Sequence, residues 1–200
     1  MEDIQFVEKP EWLSWDDIHE CLYKAHSVNR KKGFSMTNER LSGEELKRKV
    51  GDGHCFVALC EKRVVGVACL KLFRPKRWWT RNIVAYTFLD AIIPEYRGTD
   101  VFLGLDKIRN KCIRESGARI RQCNTAEQNK TVIKICTRAN YKMVQYSATG
   151  KGADYYSVIM VKWEDGCPYP DWFVNFMFRM SKYAVKLIWK PGYKLRFCSK

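Results

Sequence analysis

Apolar and polar positions recur along this chain in two rhythms, and the places where the rhythm changes mark its elements. Residues 4–7 form a short apolar patch that reads as a first strand. From Trp15 the apolar residues Ile18, Cys21, Leu22 and Ala25 return at three and four, the period of a helix. Ser14-Trp15-Asp16-Asp17 supplies its cap and Gly33 its stop. Ser42-Gly43-Glu44-Glu45 is a capping box for a second helix over residues 44–50, ended by Gly51-Asp52-Gly53. Residues 55–60 and 64–73 are β-rich runs joined by the turn Glu61-Lys62-Arg63, which predicts a hairpin. A basic loop, 74–80, leads to a long strand over 82–93, closed by Pro94. A helix follows from Gly98 to Ser116-Gly117, with Val101, Leu105, Ile108 and Cys112 as its stripe. A strand over 118–123, a helix over 126–139 ending at Asn140, and strands over 142–147 and 155–163 around a Gly150–Gly152 turn complete the pattern. Pro168 and Pro170 mark a boundary before a last helix over 171–189, stopped by Pro191-Gly192.

The order is β-α-α-β-β-β-α-β-α-β-β and then a helix. Three antiparallel strands leading into a βαβ-like crossover predict a mixed α/β sheet flanked by helices, in one domain over residues 1–166. Residues 167–200 are predicted as a basic, aromatic helical appendage.

Charge narrows the picture. The 200 residues carry 36 Lys and Arg against 22 Asp and Glu, a net +14, so the surface attracts anions. No recognition helix or aromatic nucleic-acid strand is visible and the cations are spread along the chain, so no nucleic acid is expected as partner. Nine cysteines at irregular spacing, with no C-x-x-C, read as free thiols in a reducing cytoplasm. With only His19, His26 and His54 beside them, no metal site is expected. No uncharged apolar run reaches the roughly 18 residues of a membrane span. The opening segment has no apolar core of a secretory signal.

Candidate chemistry concentrates between Asn82 and Ser116. A strand that runs straight into a helix N-terminus aims several unpaired N–H groups at one spot, and the helix dipole adds positive potential there. Such a turn suits a phosphate. Its residues are more specific than its geometry. Ile-x-Pro-x-Tyr-Arg-Gly, after a long strand and before an amphipathic helix, resembles the pyrophosphate loop of the GNAT (Gcn5-related) N-acetyltransferases. Asn129, opening a helix and followed twelve residues on by Tyr141, looks like that family's second motif. The order of elements agrees over about residues 4–163.

The resemblance implies a mostly antiparallel sheet with a V-shaped split between the fourth and fifth strands. It implies acetyl-CoA as cosubstrate, held by Arg97, Gly98, Thr99, Asp100, Val101, Phe102 and Asn129, with its thioester carbonyl polarised by backbone N–H at Ile92 and Ile93. The departures from the family pattern are specific. Asp100 and Phe102 stand where the loop has small residues, and Cys136 stands where the second motif often has a Tyr as general acid. Cys136 is therefore either the acid or a packing residue. Asp90 is the one acid inside the predicted strand 82–93, and a strand acid needs a partner or a role. It is a candidate base for the amine, with Tyr86 beside it; the other reading is an ion pair to a helix Lys or Arg.

For the acceptor, Arg77, Trp78 and Trp79 lie in a basic, indole-bearing loop whose rings stack on sugars and bases and whose cations pair with phosphate, which suits a nucleotide sugar or other anionic acceptor; an amino sugar or nucleotide sugar is the acceptor class considered. The expected function is acetyl transfer to a primary amine of a small molecule by direct attack. The alternatives are a degenerate GNAT fold that binds ligand without catalysis and, less favoured, a nucleic-acid-binding protein. A homodimer is compatible with the pattern. The apolar face of the last helix is expected to pack on protein, in preference to peripheral contact with a membrane.

Overall fold

The computed structural model describes residues 3–31, 37–148 and 155–188. Seven strands form a single sheet: β1 (Ile4–Glu8), β2 (His54–Cys60), β3 (Arg63–Phe73), β4 (Val84–Ile92), β5 (Ile120–Ala126), β6 (Lys142–Ala148) and β7 (Tyr156–Trp163). Their order across the sheet is β1-β2-β3-β4-β5-β7-β6. Every pairing is antiparallel except β4 with β5. The helices are α1 (Trp15–Ala25), α2 (Ser27–Lys31), α3 (Gly43–Val50), α4 (Val101–Glu115), α5 (Lys130–Arg138) and α6 (Asp171–Ile188).

Local chemistry explains most of the boundaries. Ser14 and Ser42 each accept from the backbone three residues on, and Asp17 and Glu45 return the bond, so both capping boxes close. Asn140 takes a positive φ of 65° just after α5, the left-handed stop its short polar side chain permits. Gly33 and the Gly150–Gly152 turn lie outside the described residues.

Three boundaries differ from the sequence expectation. α1 stops at Ala25, where the His26 N–H caps it on Leu22 and Lys24 carbonyls. The crossover helix begins at Val101, because Pro94–Tyr96 first makes a separate 3₁₀ turn. β5 extends to Ala126, three residues beyond the apolar run, because β7 pairs with it as far as Ala126 opposite Ser157. Pairing to a neighbour overrides local propensity there.

One core holds β1 to β4 against α1, α3 and α4. Close approach of α4 needs small residues. A Cβ on Gly104 would meet the Phe6 ring at 2.3 Å, so that glycine serves packing and not ligand approach. The edge strand β6 is covered by α6: the Tyr146 N–H donates to Ser181 Oγ at 2.9 Å, and Lys142 pairs with Asp171 at 3.0 Å. Covering an open edge removes a site for unwanted strand pairing.

Candidate active site

The parallel β4–β5 ladder runs from Val84 opposite Ile120 to Thr87 opposite Cys123, and stops. Beyond that point β4 stays with β3 up to Ile92, while β5 stays with β7 up to Ala126. The two strands therefore part, and the predicted split is present. A bulge lies in β4 where the parting begins. Between the pairs Val67–Ala91 and Cys69–Phe88, β4 carries one residue more than β3. Leu89 absorbs it with φ at +56°, a left-handed value that costs a non-glycine residue about 1–3 kcal/mol. Bulges re-aim side chains and free backbone groups from the ladder.

The backbone beyond the bulge divides the predicted Ile92–Ile93 pair. The Ile93 N–H donates to the Val65 carbonyl at 3.1 Å, so it is not available to a ligand. Hydrogen-bonding directions alternate along a strand, which turns the Ile92 N–H toward the split.

Asp90, set by the bulge, leaves 41% of its side chain exposed. Desolvation by the surrounding protein raises its carboxyl from the ordinary value, and Arg109 of α4 acts in the opposite direction. Arg109 Nη1 donates to Asp90 Oδ1 at 2.6 Å, and Nη2 to Asp106 Oδ1 at 2.9 Å. Asn110 holds Asp106 from the other side at 2.7 Å, and Arg121 of β5 donates to Asn110 and pairs with Glu164. The helix cation expected as one reading of Asp90 is therefore present, and the carboxylate keeps an open side as well. Arg109 itself was missed. The buried row of α4 is Val101, Leu105, Arg109, Ile113, and an arginine in an i+4 series of core residues was the available signal.

On the β5 side, Cys123 lies 3.6 Å from Cys136 of α5, sulfur to sulfur. The contact holds the Cys136 thiol below its ordinary value, while Cys123 is pushed up by the same bond and by burial. Cys123 was also missed; only the pairing of β5 with α5 reveals it. Tyr141 is pushed up by burial. Tyr86 is raised to about 12, chiefly by burial, and stacks on Phe88 at 5.1 Å. Asp90 acts electrostatically on Tyr86, Cys123 and Cys136, so these groups share one neighbourhood.

At the start of α4, Asp100 is the N-cap residue but its side chain makes no capping bond. Thr99 takes part of that place: its hydroxyl accepts from the Val101 N–H at 3.4 Å and donates to the Tyr96 carbonyl at 2.6 Å, which leaves the next N–H groups of the first turn without a capping side chain. Gly98 adopts φ +78° with open space where a Cβ would stand. The Arg97 guanidinium is engaged elsewhere: it donates to the Ala25 carbonyl at the end of α1 and to the Ile92 carbonyl at 3.3 Å. Its side chain ties α1 to the crossover, and what the turn offers an anion is backbone. Asn129 caps α5 through its side-chain oxygen, accepting from the Val132 N–H at 3.4 Å. Phe102 is exposed beside this turn.

Arg77, Trp78 and Trp79 are not brought to the split. Their loop precedes β4, so it lies at the opposite end of that strand from Ile92. Trp79 is 2% exposed, and Trp78 packs against Tyr169 and Phe173 at 5.6 and 5.5 Å. Both indoles are occupied by the core around α6, which explains their presence without a ligand. Among the described residues no group of His, Cys, Asp and Glu is placed to hold a metal, and no helix is long and apolar enough to cross a membrane.

The sheet order, the parallel pair and the split together define the GNAT fold, and solved structures agree. A GNAT-family acetyltransferase from Streptococcus pneumoniae superposes with a TM-score of 0.54 at 14% identity, covering 80% of this chain and 99% of its own. An acetyltransferase from Streptococcus agalactiae gives 0.57 at 18% identity, over 82% and 99%. A GNAT-family acetyltransferase from Elizabethkingia anophelis, with acetyl-CoA bound, gives 0.56 at 8% identity, over 82% and 99%. Neither a family model nor a curated protein matches the sequence.

Proposed function

We propose that the protein is an acetyl-CoA-dependent acetyltransferase that acetylates a primary amine of a small molecule by direct attack. The observation that carries this reading is the coincidence, at one end of β4, of a parted strand pair, a bulge beyond which strand alternation turns the Ile92 N–H to the split, and an open carboxylate. The fold shared with acetyltransferases, one of them holding acetyl-CoA, supports it.

Acetyl-CoA fits the residues present. The turn before α4 offers a diphosphate the first-turn N–H groups beyond Val101, whose own N–H donates to Thr99, and an open glycine. Asp100 opposes that anion by its charge and weakens the site. When bound, the thioester supplies an activated acetyl group. The Ile92 N–H is the donor for its carbonyl, and such a fixed dipole strengthens as charge develops on the oxygen. Asp90 accepts the proton of the attacking amine. Its raised pKa makes it a better base than an ordinary carboxylate, and Arg109 keeps it oriented. Cys136, its thiol held low by Cys123, gives a proton to the leaving thiolate. Proton balance is restored by exchange with water at the open face of Asp90.

Calorimetry with acetyl-CoA, followed by thiol release with a panel of amines, tests the proposal. Binding with turnover supports it. Binding without turnover on any amine means a GNAT fold that has kept only the ligand.

A further inference from the structure

α6 is apolar on two opposite sides. One side meets the sheet: Val174 enters a core cluster, and Phe178 and Val185 pack with Tyr146. The other side carries Trp172, Phe176, Met180, Tyr183 and Leu187, each at least half exposed. Their spacing of three and four puts them in one row, spanning about 22 Å at 1.5 Å per residue. Among the described residues nothing covers this row. The sequence expectation that the apolar face packs on protein holds for one side of the helix only.

Three cations border the row. Arg179 and Lys186 are exposed, and Lys182 is half-buried against Glu127. They fall on one flank, roughly 60–120° from the middle of the row at about 100° per residue, with Arg179 nearest to it and the Lys182 and Lys186 ammonium groups lying over the Tyr146 ring at 5.2 and 5.8 Å. Asp171 is the one acid of α6. The sequence after Ile188 adds Lys190, Lys194, Arg196 and Lys200 and no acid, on a chain of net charge +14.

We propose that this row docks on an anionic lipid surface, with α6 lying in the plane of the headgroups. A straight line of large apolar side chains fits a plane, and the exposed Arg179 and Lys186 reach phosphate and carboxylate headgroups from its flank, while Lys182 stays with Glu127. Indole and phenol rings suit the same depth, one edge apolar and the other wet. A second copy is the weaker occupant. An antiparallel pair, with its two-fold axis across the row, would set the cationic flanks of two chains of the same charge against each other, with no acid on α6 besides Asp171 to pair them.

The test is flotation of the full chain with vesicles of phosphatidylcholine and phosphatidylserine, against vesicles of phosphatidylcholine alone. Binding is expected to the first and at least tenfold less to the second, and to fall as salt rises. The double variant Phe176→Glu/Leu187→Glu changes exposed positions. It should lose vesicle binding by tenfold or more while keeping its melting temperature and its affinity for acetyl-CoA. Arg179→Glu alone should weaken binding about five- to tenfold. Three outcomes overturn the proposal. One is equal binding to both vesicles. Another is a dimer, seen by sedimentation, that the double variant abolishes with no flotation of the parent. The third is flotation that appears only after residues 189–200 are removed, which would mean that the tail itself covers the row.

Discussion

Asp90 of β4 and Arg109 of α4 are joined by a 2.6 Å hydrogen-bonded ion pair, formed at the bulge where β4 leaves β5. Arg109 is buried and held by Asp106 as well, so the pair has a fixed side and an open side. Its two members have different roles. Arg109 holds the carboxylate in place, and the open oxygen of Asp90 meets the solvent.

If Asp90 receives the amine proton, Asp90→Asn lowers kcat on the order of 10²-fold and leaves acetyl-CoA affinity nearly unchanged. Steady-state kinetics beside calorimetry separate the two quantities. Full activity in the variant removes Asp90 from the reaction. A variant that only unfolds makes the ion pair a stability element.

The same pair predicts a pH effect of known sign. Burial raises the Asp90 pKa and Arg109 lowers it. The base works in its ionised form, so kcat/KM falls as pH falls through that raised value. Arg109→Met removes the lowering influence, and the acid limb should move to higher pH by about 1–3 units. Arg109→Lys keeps the charge and should move it less. A limb that stays in place in Arg109→Met assigns it to another group.

How much of this was legible beforehand depends on which residues carried it. The fold was legible because each element has its own local signal: the two capping boxes, the Asn140 stop, the run that Pro94 closes. Asp90 was legible as an acid in a strand. The bulge at Leu89 was not, because neither its sequence nor its propensity differs from an ordinary strand; it exists only through register with β3. Arg109 and Cys123 escaped for the same reason, since their meaning lies in a partner on another element. Trp78 and Trp79 read as ligand-stacking residues because a basic loop surrounds them, and their burial against α6 is a long-range contact.

The α4 turn yields a prediction in the direction of gain. Asp100 stands at the end of a helix dipole that favours anions, but it makes no capping bond and adds a charge that a diphosphate must meet. Asp100→Gly should tighten acetyl-CoA binding, by roughly fivefold for about 1 kcal/mol of relieved repulsion. Titration calorimetry at low and moderate salt measures it, with the larger gain at low salt. Weaker binding in the variant would mean that the diphosphate does not sit on this turn.

Gly104 tests the packing that positions that turn. Its α-carbon faces the Phe6 ring so closely that a methyl group would stand 2.3 Å from it. Gly104→Ala should destabilise the protein by about 1–3 kcal/mol, as overpacking does, despite the better helix propensity of alanine. Denaturant unfolding reads the loss. Phe6→Leu, combined with it, should recover part of the loss, because the smaller side chain leaves room for the methyl group.

The cysteine pair gives a prediction that needs no substrate. Contact with Cys123 lowers the Cys136 pKa, so Cys136 forms thiolate at a lower pH than an ordinary thiol. Its alkylation by iodoacetamide, followed by peptide mass spectrometry, should therefore show a midpoint below that of an ordinary thiol. Cys123, pushed up by the same bond and by burial, should stay unmodified across that range. Cys123→Ala removes the bond and leaves burial as the main influence on Cys136, which raises the pKa. The alkylation midpoint should then move to higher pH, and if Cys136 protonates the leaving thiolate, the alkaline limb of kcat should move up with it. Movement of the alkylation midpoint without the kinetic limb would leave Cys136 as a packing residue of α5. An unchanged midpoint in Cys123→Ala would show that the two sulfurs do not interact in solution.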